Sequence, residues 1–307
     1  MSIMELAWTD DLRVPATSVG RPVVYRTRGR GHGDVFRLIS PNGIGERLKP
    51  FVFLDSFSGV ISEFTEAGGM HPHSGIGTLT VFTRGDVHFD NKASGYIGYG
   101  GAEWVRSGGG IWHGRELSSG KAERIHGFQL WLALSAELEL SNPESQYVEA
   151  RDMPQVGPAY VIAGTHDGET SPIKAPADVN YLLITLAPHE SWIYKPPGGH
   201  TVGWLSLSRG GLDGSTSGSS GELLIFSDDN GPISLEAGPQ GATFVLGSAV
   251  PHPHELHVRH YSVHTSAETL EMGERQIATL RRDLFGRSGQ QRASGEQQIH
   301  EAVSDRN

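Results

Sequence analysis

The segment His71-Pro72-His73 carries two imidazoles with one residue between them. Along an extended chain, residues i and i+2 point to the same side, so both rings can be aimed at one point. That is half of a metal site. A third ligand must come from elsewhere in the fold, and His113, at the end of a later strand pattern, is the natural candidate. The chain has no cysteine and 15 histidines. Disulfides and thiolate catalysis are therefore excluded, and any metal is held by His, Asp or Glu. Three imidazoles with one carboxylate suit zinc, iron, nickel, copper or manganese and leave positions open for exogenous ligands.

A rival cluster, Pro251-His252-Pro253-His254-Glu255-Leu256-His257, is denser in histidine. His252 and His254 share a face of an extended strand, but prolines flank both and His257 falls on the opposite parity. The first cluster is the expected site. His260 and His264, beside Tyr261, read as ordinary strand or edge residues. Trp104, Trp112 and Trp131 read as barrel core, with Trp112 next to His113 able to line a pocket. The glycines 108–110 lack the strand-then-helix setting of a nucleotide loop and read as a tight turn.

The elements that must position these residues are short. Forty-one glycines and 17 prolines, with no long helical periodicity before about residue 265, favour strands and tight turns. Strand patterns fall at 22–27, 34–39, 50–57, 79–85, 103–105 and 126–134. A second set follows at 159–163, 181–187, 201–208, 222–227 and 242–247. The apolar run 50–57 reads as buried on both sides and close to the metal. Residues 144–157 are polar and contain Pro154, which suggests a linker, and 210–221 has the composition of a mobile loop. Ser266 reads as the N-cap of a helix to about Leu284, with Leu270, Ile277 and Leu280 on one stripe. Beyond residue 287 the chain is polar, as expected of a disordered tail.

The formal charge of −10 argues against direct nucleic-acid binding, although Arg21 to Arg30 forms a candidate local basic patch. No run approaches the roughly 20 apolar residues of a membrane span, and the N-terminus shows no secretory signal. A cytoplasmic protein is expected.

The ordered combination Pro50-Phe51-Val52-Phe53-Leu54-Asp55-Ser56-Phe57, His71-Pro72-His73-Ser74-Gly75, Gly108-Gly109-Gly110-Ile111-Trp112-His113, Gly127-Phe128-Gln129-Leu130-Trp131 and Glu144-Ser145-Gln146-Tyr147 resembles the pirin family of bicupins. The resemblance covers about residues 20 to 285. It implies an all-β fold of two stacked cupin, jelly-roll-like β-barrels with a C-terminal helix: residues 1–150 the N-terminal cupin with the metal, 151–286 the C-terminal cupin and closing helix, and 287–307 the tail. It makes His71, His73 and His113 ligands of one divalent transition metal, iron foremost, with Ni, Cu, Mn, Zn or Co as alternatives. The family's glutamate two residues after the third histidine is replaced by Arg115, and a glutamate stands one later, at Glu116. Glu116 is the expected fourth ligand and catalytic base, with Gly114 supplying the backbone slack and Glu103 a more distant substitute. Where the family often has a further glutamate, four residues after the second histidine, Gly77 stands here.

Several family members open the flavonol quercetin with dioxygen, and others are described as transcription cofactors that sense redox state. The resemblance thus implies a dioxygenase acting on a small aromatic, flavonol-like substrate. The alternative is a metal- or redox-sensing module without turnover, acting through a protein partner.

Overall fold

The computed structural model describes residues 20–284 apart from 68, 90–94, 115–116 and 177. Arg115, Glu116 and the tail from 287 lie outside the described residues.

The fold is all-β: two stacked cupin barrels with a C-terminal helix. The first is built on a seven-stranded antiparallel sheet, in the order Glu144–Val148, Ala102–Arg106, Ile76–Arg84, Arg124–Ala133, Phe51–Val60, Val35–Ile39 and Arg30–His32. Its other wall carries the pair His71–His73 and Ile111–His113, and a three-stranded piece around Asp86–Phe89. The second is built on a nine-stranded sheet whose longest strand, Ile233–Ala249, pairs with Val179–Leu186, Val202–Leu212 and Ser191–Tyr194.

Strand parity sorts the first sheet into two faces. Phe128, Leu130 and Leu132, with Leu54, Leu79 and Trp104, face the second barrel and share one core cluster with Tyr181, Leu183, Trp204 and Val245. Phe51 meets the edge of Trp204 there at 5.3 Å. The alternate positions, Phe53, Asp55, Thr80, Glu103, Gln129 and Trp131, line the first barrel's cavities. The second barrel is filled by Val161, Leu182, Ile184, Leu205, Phe244, Leu246 and their neighbours.

Four expectations are corrected. Residues 144–148 are an edge strand of the first sheet, paired residue for residue with Ala102–Arg106; the segment is polar because one face of an edge strand is solvated, while Val148 is buried. The 210–221 loop is largely ordered: Val202–Leu212 runs into it, a 3-10 turn spans Gly214–Thr216, and Gly218–Ser219 pairs back onto it. The strand Val23–Thr27 joins the second sheet, paired with Leu223–Phe226. The Arg21 to Arg30 patch is narrower than its sequence suggests, since Arg21 is buried with its Nε donating to Ser227 O at 2.6 Å, while Arg26, Arg28 and Arg30 stay exposed and Arg28 lies 3.7 Å from Glu222.

The helix occupies 267–284. Its N-cap is Ser266, whose Oγ accepts from Thr269 N at 3.1 Å. Leu270 and Ile277 are buried and Leu280 half-buried, and the helix docks on the first barrel, where Trp112 Nε1 donates to Ile277 O at 2.8 Å. No helix among the described residues is long and apolar enough to cross a membrane.

Candidate metal centre

The strand His71–His73 pairs antiparallel with Ile111–His113, which sets His113 directly across from His71 and Trp112 across from Pro72. His71, His73 and His113 thus share one side, and their candidate ligand nitrogens all lie within 4.8 Å of one another. Ring centroids are 4.9 Å apart for His71 and His73, 4.6 Å for His71 and His113, and 5.2 Å for His73 and His113.

Backbone carbonyls orient two of the rings. His71 Nδ1 lies 2.9 Å from Gly69 O, and His73 Nδ1 lies 3.3 Å from Tyr261 O. A carbonyl only accepts, so each Nδ1 carries the proton and each Nε2 keeps its lone pair, the arrangement common to metal-binding imidazoles. Burial, then the neighbouring His113 and His71, hold His73 well below the ordinary imidazole pKa. The ring is therefore neutral, as a ligand must be. The donor set fits a first-row divalent transition metal, with imidazole favouring Zn, Cu, Fe or Ni.

Gly114, immediately after His113, takes φ +123; a Cβ there would lie 2.8 Å from Gly69 O and 3.0 Å from His71 Nδ1. Only glycine lets the chain leave the site this close to a ligand ring. Gly77 sits on the opposite face of its strand, under the Trp104 indole, where a Cβ would fall 2.0 Å from the ring. Trp104 fills the space, so position 77 offers no ligand.

The histidines open onto adjoining cavities of about 750 and 300 Å³ that share Asp55, His71, Glu103, His113 and Gln129 in their walls. Across the sheet, Arg37 opposes Asp55, Asp55 opposes Gln129, Gln129 opposes Thr80 and Thr80 opposes Glu103, which makes one polar row on the inward face. Thr80 Oγ1 bonds Glu103 Oε2 at 3.0 Å and Gln129 Oε1 at 3.1 Å. The Arg37 guanidinium grips both Asp55 oxygens, with Nη2 to Oδ2 at 3.0 Å, and lies 3.9 Å above the Phe53 ring. Burial raises the Asp55 pKa, against the pull of Arg37. Phe53 stacks on Trp131 at 4.1 Å, and Trp131 meets His73 edge-on at 4.8 Å.

The roof comes from the second half. Val258, Arg259, His260 and Tyr261 line the larger cavity, and Ser74 bridges Ser262. Sequence reasoning missed this roof and the polar row, although Asp55 and Gln129 are visible as polar residues inside apolar runs. It also misread two aromatic or histidine positions. Trp131 is a pocket wall as well as core. His264 is buried, with Nδ1 3.4 Å from Glu139 Oε2 and Nε2 3.0 Å from Ser74 Oγ. The rival cluster gathers no ion site among the described residues: His252 Nε2 donates to Leu134 O at 3.2 Å, and His254 O accepts from Lys49 Nζ at 2.7 Å.

The chain is similar to known proteins in sequence and in fold. The pirin family's sequence model matches residues 34–132. A pirin-like protein of Caulobacter vibrioides is 33% identical over 192 residues, 58% of this chain and 69% of that protein. Among solved structures, a quercetin 2,3-dioxygenase from Acinetobacter baumannii superposes with a TM-score of 0.69 at 20% identity, covering 86% of this chain and 96% of that one. A bacterial pirin from Escherichia coli, solved in complex with nickel(II), superposes with a TM-score of 0.56 at 19% identity, covering 76% and 99%. With its paired histidine strands, its two barrels and a relative of this identity and coverage, the chain belongs to the pirin family.

Proposed function

We propose that the protein is a metal-dependent dioxygenase of flavonol-like substrates, with His71, His73 and His113 holding one divalent transition metal and Glu116 completing the set. The observation that carries this reading is the convergence of three imidazoles, two of them oriented by backbone carbonyls, on a cavity walled by both aromatic and hydrogen-bonding side chains. A metal bound there supplies Lewis acidity that favours the ionised form of an enol.

The chain's own residues supply the rest. Phe53 and Trp131 offer an apolar, aromatic wall to a flat ring system. Asp55, Gln129 and Glu103 present acceptors, and Arg37 and Gln129 donors, at intervals set by the strand spacing of about 4.8 Å, which suits a substrate with several ring hydroxyls. Tyr261 and its neighbours from the second half form a further wall of the cavity. Glu116 is assigned as the base that takes the enol proton. The likeness to a protein named quercetin 2,3-dioxygenase supports the substrate class, and the nickel(II) complex of the Escherichia coli relative supports a first-row metal. Iron is the metal we propose first.

The test is turnover of quercetin under air by protein loaded separately with iron, nickel, copper and manganese. Ring-opened product from at least one form, lost in Glu116→Gln, is the expected result. No product from any form would sink the enzymatic reading and leave a metal-binding module.

A further inference from the structure

A second cleft lies between the two barrels, away from His71, His73 and His113. It has a volume of about 570 Å³ and is lined by Arg84, Arg124 and Arg209 together with His126 and the hydroxyls of Ser58, Thr83, Tyr99, Thr185, Ser208 and Thr243. No carboxylate lines it among the described residues.

Two β-bulges build it. In the first sheet His126 pairs with Arg84 but Gly127 pairs with Phe82, so Thr83 is an extra residue. In the second, Leu207 pairs with Phe244 and Arg209 with Thr243, so Ser208 is extra. A bulge turns the residues beside it out of the ladder. Here the two bulged residues meet, Thr83 Oγ1 and Ser208 Oγ lying 2.7 Å apart and 2.5 and 2.9 Å from His126 Nδ1. The residue after each bulge is an arginine. Arg124, two before His126 on the same strand, adds the third. Tyr99 OH donates to Thr185 Oγ1 at 2.7 Å, and Thr185 Oγ1 lies 3.0 Å from Thr243 Oγ1, which extends the hydroxyl floor.

These arginines are exposed, and beyond the backbone ladder none of their guanidinium groups makes a hydrogen bond or ion pair with another described residue. Three like charges held together repel one another. The chain has 35 acidic residues against 25 basic ones, yet no described Asp or Glu lines this cleft. Guanidinium forks over a bed of hydroxyls match a tetrahedral oxyanion in charge and in geometry.

We propose that this cleft is a binding site for a small molecule bearing a phosphate group, held by Arg84, Arg124 and Arg209 with the hydroxyls beneath. The ligand bridges residues of both barrels, so its binding stabilises the folded chain by mass action.

The test is a titration of the full chain with inorganic phosphate at mildly alkaline pH, ionic strength held constant with sodium chloride, followed by melting temperature and calorimetry. A saturable rise in melting temperature is expected. The double variant Arg84→Ala/Arg209→Ala should weaken phosphate binding by roughly tenfold or more while melting no lower than the parent without phosphate. His71→Ala should bind phosphate unchanged. Should the alanine pair fail to fold, Arg84→Lys/Arg209→Lys keeps the charge, loses the planar fork, and should bind several-fold more weakly. Phosphate acting no differently from chloride, or a folded double variant with unaltered affinity, would overturn the site.

Discussion

Strand Arg124–Ala133 of the first barrel and strand Val179–Leu186 of the second both lie inside their sheets with neighbours on either side, but they present different interiors. Outward, toward each other, both are apolar: Phe128, Leu130 and Leu132 on one, Tyr181 and Leu183 on the other. Inward, the second offers Leu182, Ile184 and Leu186 to a filled core, whereas the first offers Gln129 and Trp131 to a cavity. The polar row cannot close on itself as leucines do, because each buried donor and acceptor needs a partner or water. The first barrel thereby keeps space for a ligand, and cohesion comes from the shared core and the second barrel's interior.

The largest effect that would break this comparison is in metal binding. His71→Ala and His113→Ala should each lower bound metal by about tenfold or more, read by elemental analysis after dialysis, since a site of three or four ligands tolerates poorly the loss of one. His252→Ala and His254→Ala should leave stoichiometry unchanged. A loss of one metal per chain in the latter pair would move the site to the second half.

Next come the interiors themselves. Leu246→Ala, in the second barrel's packed core, should cost about 2–5 kcal/mol by chemical denaturation. Gln129→Met, a change of similar volume in the first barrel's wall, should cost less than about 1.5 kcal/mol. Equal costs would mean that the first interior is packed as tightly as the second.

Acid should act on both halves. Burial holds His126, His166, His200 and His252 below the ordinary imidazole pKa, as it does His73. The unfolded chain then binds protons more readily than the folded one. The stability these rings contribute is whole above about pH 6.5 and is lost as pH falls below it. The metal-free protein should therefore melt at a constant temperature from mildly alkaline to neutral pH and progressively lower in acid. His71→Ala should keep that slope, because most of these rings lie outside the metal centre. A melting temperature independent of pH through the same range would contradict the assignment.

The smallest effect is at the cap of the helix that follows the second barrel in sequence but packs on the first. Ser266→Ala removes the side-chain cap of Thr269 N and should cost about 1 kcal/mol. Deleting residues 266–307 should cost far more, by uncovering Trp112 and stripping Ile277 from Gly110. A truncated chain that melts at the full-length temperature would show that the helix adds nothing to the first barrel.

The sequence by itself determined the strand-rich class, the shared face of His71 and His73 and the capped helix. Each is written locally: strand periodicity is two, so His71 and His73 share a face whatever surrounds them, and Ser266 caps a helix through the amide three residues on. The absence of cysteine fixed the kind of ligand available. Tertiary structure alone decided what those histidines face. Arg37, Asp55, Gln129, Thr80 and Glu103 become one row only through the registers of five strands drawn from separate parts of the chain. Tyr261 reaches His73 from 188 residues away, and the edge strand at 144–148 hides its partner from a reading of composition. Long-range registers, and the segment that returns from the second barrel to roof the first, follow from how two apolar faces bury each other, and no short window of sequence records that.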